Sequence, residues 1–68
     1  MSREVESEIK GAVVFHFNAI AAKAKANLKN YFYNSVGVGE HPDVVAECIK
    51  LVEEIDHAQS CANTLSEL

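Results

Sequence analysis

The stretch Asn34-Ser-Val-Gly-Val-Gly-Glu-His-Pro-Asp43 interrupts an otherwise helical pattern and so decides the fold. Two of the chain's three glycines and its single proline fall within it. Gly37 and Gly39 lack a Cβ, so either can take the left-handed conformation that a sharp reversal needs. Pro42 fixes its φ near the helical value and has no N–H, which suits the first position of a new helix. Asp43 beside it sets negative charge against the positive end of that helix, and His41 stands where the N-cap is expected. The chain therefore reads as a helix over about 4–33, a loop over 34–41 and a helix over about 42–66.

Upstream of the loop, Glu4, Glu6 and Glu8 sit near the start of the first helix, where acids oppose the helix dipole. Ser2 is the expected N-cap, and Glu6 with Lys10 forms a favourable i,i+4 pair. Gly11 interrupts this run, marking either a close helix approach or the point where a weak first segment becomes packed helix. Val14, Phe17, Ala21, Ala24, Leu28 and Tyr31 then follow steps of three and four and define a core stripe. A second stripe runs through Ile9, Val13 and Ile20. The segment from Ala12 to Phe17 is apolar on most sides, more than one partner helix can cover. Its β-branched and aromatic residues also suit a strand, but the alanine-rich run from Asn18 to Ala26 has strong helix propensity and decides for helix.

Downstream, Val44, Cys48, Leu51, Ile55, Ala58, Ala62 and Leu65 form a heptad-like seam, widened on one side by Val45 and Val52. Glu47, Lys50, Glu53, Glu54 and Asp56 mark the outer face. Folding at the loop sets Val14 and Phe17 near Ala58, Cys61 and Ala62, and sets Ala21 and Ala24 near Leu51, Val52 and Ile55. Large then faces small. The same register points Lys23 and Lys29 toward Glu53 and Glu47.

A chain of 68 residues is one domain, of a size where a single core supplies only about 3–5 kcal/mol and a disulfide, metal or partner subunit normally adds the rest. Cys48 and Cys61 lie on one helix roughly 20 Å apart, too far to bridge. With no leader sequence and no apolar run of membrane-spanning length, the expectation is a cytoplasmic protein with reduced thiols. The net charge of -4 works against a phosphate-binding surface.

His57 and Cys61, spaced i,i+4, could supply two metal ligands with Asp56 or Glu53 as a third, but neither CxxC nor HExxH is present. The plainer reading is a surface histidine and a small core cysteine, with His16 at the margin of an apolar face. A free cysteine on an apolar seam gives no basis for nucleophilic catalysis. The Val36-Gly-Val-Gly39 element lacks the preceding strand, the GxGxxG spacing and the lysine of phosphate-binding loops. Neither a catalytic residue, a metal nor a cofactor is expected. Lys23, Lys25 and Lys29, with Asn27, Asn30, Tyr31 and Tyr33 nearby, offer the alternative of an RNA- or DNA-binding hairpin dimer. Ten acidic against six basic side chains argue instead for a solvated face.

The run Asn18-Ala-Ile-Ala-Ala-Lys-Ala-Lys-Ala-Asn27, followed by the loop element Val36-Gly-Val-Gly-Glu-His-Pro-Asp43, resembles small uncharacterised proteins of marine tailed phages, especially cyanophages. The similarity covers roughly residues 16–57. It carries over no activity and no catalytic residue; it implies a phage accessory or assembly protein acting in a bacterial host cytoplasm.

The expected fold is all-α, an antiparallel two-helix hairpin pairing into a four-helix bundle as a homodimer, with a higher closed oligomer as the next choice. Val13, Val14, Phe15, Phe17 and Ile20 of the first helix, with Leu51 and Ile55 of the second, are the expected oligomer interface. The expected function is non-enzymatic and works through protein–protein contacts. Gly37→Val or Gly39→Val should lower the denaturant midpoint by about 1 kcal/mol or more in stability if that glycine takes φ > 0, and Pro42→Ala should cost less. Unchanged midpoints for both glycine variants would mean a loop that is only a tether.

Overall fold

The computed structural model describes residues 2–34 and 43–68. Two helices make up the described chain, α1 over Arg3–Tyr33 and α2 over Val44–Ser66, with no strand among the described residues. They pack against each other. Tyr31 and Phe32, at the end of α1, line one depression with Val44, Val45 and Cys48 at the start of α2. Val14 and Phe15 share another with Leu65 and Ser66, so the helices run antiparallel. Gly37, Gly39, Glu40, His41 and Pro42 lie outside the described residues.

Both helix starts are closed by side chains. Ser2 is the N-cap of α1, its hydroxyl oxygen accepting from the Val5 N–H at 3.2 Å. Asp43 caps α2, its Oδ1 accepting from the Ala46 N–H at 3.0 Å. α2 is described from Val44, and the capping role expected of His41 belongs to Asp43. The physical reason is the short carboxylate of Asp43, placed to meet a free backbone donor of the first turn.

The core is made of alanine. Ala21, Ala24 and Ala58 are the buried hydrophobic residues among those described, at 5%, 2% and 1% exposure, and no large side chain is fully buried. A one-carbon side chain is buried that completely only where the facing helix comes close, so the two backbones are nearest at mid-hairpin. Around this contact the predicted stripes hold: Val14, Phe17, Leu28 and Tyr31 on α1, and Val44, Cys48, Leu51, Ile55, Ala62 and Leu65 on α2, are half-buried. Val45 and Val52 do not widen the seam; they remain exposed beside it.

Ion pairs do not set the register. Among the described residues, the pairs are Glu6–Lys10 at 3.0 Å and Glu47–Lys50 at 3.7 Å, each within one helix, and Lys23 and Lys29 reach no acid of α2. Packing of the two stripes decides the alignment.

The helices are unequal. At 31 and 23 residues they measure about 46 and 34 Å, so the start of α1 extends about eight residues past the end of α2. Residues 2–9 are all exposed. Gly11 lies at the root of this extension, and a Cβ added there meets nothing within 4 Å, so it does not mark a close approach.

Gly11→Ala should therefore raise stability by about 1 kcal/mol through helix propensity alone, read as a higher urea midpoint at unchanged slope. Ala58→Leu should lower it by about 1–3 kcal/mol, because mid-hairpin has no room for a larger side chain.

Candidate self-association surface

Polar chemistry in the described structure is sparse and local. His57 Nε2 and Cys61 Sγ lie 3.6 Å apart across one turn of α2 at an exposed position. No group of three or more histidine, cysteine or acidic side chains among the described residues is arranged to hold a metal ion. Cys48 and Cys61 are both free and half-buried. The His16 ring is exposed and meets Phe17 edge-on, centroids 5.1 Å apart, which fits a histidine at the margin of an apolar face.

The three lysines of the alternative reading do not make one patch. At about 100° per residue, Lys25 and Lys29 share a side of α1 while Lys23 points some 120–160° away from them. All three are exposed. No helix among the described residues is long and apolar enough to cross a membrane.

What the surface offers instead is apolar. Phe15 is 77% exposed and Phe32 62%, although one partner helix already lies against α1. Along the first half of α1 the second stripe stays uncovered: Val5, Ile9 and Val13 are exposed, and Ile20 is half-buried. At the loop end, Phe32, Val45, Ile49 and Val52 border an open depression of about 480 Å³. These two surfaces lie on different sides of the hairpin. Phe32 is five helical turns from Val14 and shares its side of α1, whereas the Val5 stripe is turned well over 90° from that side.

The expected interface residues divide accordingly. Val14, Phe17, Leu51 and Ile55 are half-buried along the contact between the chain's own two helices. Val13 and Phe15 remain open, with Ile20 between the two groups. Reasoning from sequence passed over Val5, Phe32 and Ile49. Val5 continues the step of four that links Ile9 and Val13, and Val45, Ile49 and Val52 follow steps of four and three. Spacing alone could have found both rows; it could not show that they face outward.

Protein purified without a histidine tag should carry no stoichiometric transition metal by elemental analysis. A value near one equivalent per chain would mean that His57 and Cys61 recruit further ligands.

No protein-family model, no curated protein and no solved structure gives a match to this chain.

Proposed function

We propose that this protein is a non-enzymatic helical hairpin that self-associates and acts through protein–protein contacts. The observation that carries this reading is the amount of surface left exposed. A compact chain of 7.4 kDa exposes about 4,200 Å², whereas this hairpin exposes 5391 Å². Its radius of gyration is 16.0 Å, against about 11 Å for a compact chain of this length. Only three alanines are buried among the described residues, while several large apolar side chains face solvent. Each such side chain gives up roughly 1.5–3 kcal/mol that burial would supply. A few of them together match the whole stability of a small domain.

The simplest closed solution is a homodimer, two hairpins forming a four-helix bundle in which folding and association are coupled. A trimer or tetramer satisfies the same constraint. The role proposed with it, on the resemblance to small phage proteins, is accessory or assembly work in a bacterial host cytoplasm. Enzymatic action has little support: the depressions are open, and no cluster of catalytic side chains converges on them among the described residues.

Sedimentation equilibrium at micromolar concentration should give the mass of two chains or of a higher closed assembly, and Glu53→Ala should leave it unchanged. A cooperative, well-folded monomer of 7.4 kDa would overturn the reading.

A further inference from the structure

One turn of α2 brings an imidazole and a thiol together, and the self-association reading makes no use of the pair. His57 and Cys61 are spaced i,i+4, so their side chains leave the helix on one side, about 40° apart around its axis. His57 Nε2 lies 3.6 Å from Cys61 Sγ. His57 is exposed, Cys61 is half-buried, and its sulfur is in no disulfide. The two atoms are therefore held close on a regular helix and within reach of solvent.

Their separation is the one that a tetrahedral zinc ion imposes on two of its ligands. A zinc–sulfur bond of about 2.3 Å and a zinc–nitrogen bond of about 2.05 Å, meeting at the tetrahedral angle, set sulfur and nitrogen about 3.6 Å apart. A thiol–imidazole hydrogen bond keeps the same spacing when no ion is present, so binding exchanges a proton for a metal at nearly fixed positions. The donor types select the ion. One thiolate with one imidazole suits zinc, whereas magnesium and calcium take sites built from oxygen. Cys48 marks the contrast: the residues one turn from it along α2, Val44, Val45, Leu51 and Val52, are all apolar and offer no second ligand.

We infer that His57 and Cys61 form a two-point chelate for Zn2+ at the solvent edge of α2, with Nε2 and Sγ as the protein ligands and water in the remaining positions. A zinc–sulfur bond forms as the S–H bond breaks, and the proton passes to solvent. No third histidine, cysteine or acidic group is arranged with the pair among the described residues. The ion is then held reversibly and lost on purification, which agrees with a protein that carries no stoichiometric metal when isolated. Because the chelate spans one helical turn, bound zinc also favours the helical spacing of residues 57 and 61 and stabilises this part of α2. The site needs no second copy, so it stands or falls independently of self-association.

The test is titration of the reduced protein with Co2+ and then with Zn2+. Cobalt bound to a thiolate gives a sulfur-to-metal charge-transfer band in the near ultraviolet; it should saturate at one ion per chain and disappear as Zn2+ displaces the cobalt. Cys61→Ser should abolish the band. His57→Ala should weaken zinc binding by about a hundredfold in calorimetric titration, since only one arm of the chelate is left. Cys48→Ser should change neither. Circular dichroism verifies that each variant keeps its helix, and zinc should raise the melting temperature of the unmodified protein but not that of His57→Ala. A band lost in Cys48→Ser and kept in Cys61→Ser would overturn the assignment. An equal zinc affinity in His57→Ala would show a lone thiolate rather than a chelate, and the absence of any band up to millimolar cobalt would remove the site altogether.

Discussion

Two helices meeting on alanine is the constraint from which the rest of this structure follows. Ala21, Ala24 and Ala58 let the backbones come close at mid-hairpin, and closeness there leaves no room for a large buried side chain. The larger residues of both stripes are pushed to the edges of the contact, where each is half covered. The hairpin thus gains a well-defined register from steric fit while removing little apolar surface from water. The two ion pairs among the described residues, both within single helices, add only a few tenths of a kcal/mol each and do nothing to hold the helices together.

A molecule built this way depends on what covers its flanks. The alanine seam determines how α1 and α2 lie together, but the apolar rows beside it stay exposed among the described residues. Unequal helix lengths sharpen the point. The acidic, capped start of α1 is formed as helix beyond the reach of α2, so its stability has to come from outside the hairpin or from propensity alone.

The same economy limits chemistry. The depressions that the two helices border are open to solvent. The His57–Cys61 pair shows that polar side chains can meet along one helix without any third group converging on them.

Much of the fold was legible in the sequence because helix periodicity and helix punctuation are local. Steps of three and four named the seam residues of both helices, from Val14 to Tyr31 and from Val44 to Leu65, and Ser2 and the Glu6–Lys10 pair followed from spacing alone. The N-cap of α2 was misplaced onto His41, because the choice of cap rests on which side chain meets a free N–H, and in the fold that is Asp43. The roles of Gly37 and Gly39 lie outside the described residues. Periodicity also could not say which of several apolar rows a single partner helix would cover. That was decided by tertiary packing: the alanines drew α2 onto their own side of α1, and Val5, Ile9, Val13 and Phe15 stayed in solvent because a helix has more sides than one neighbour can cover.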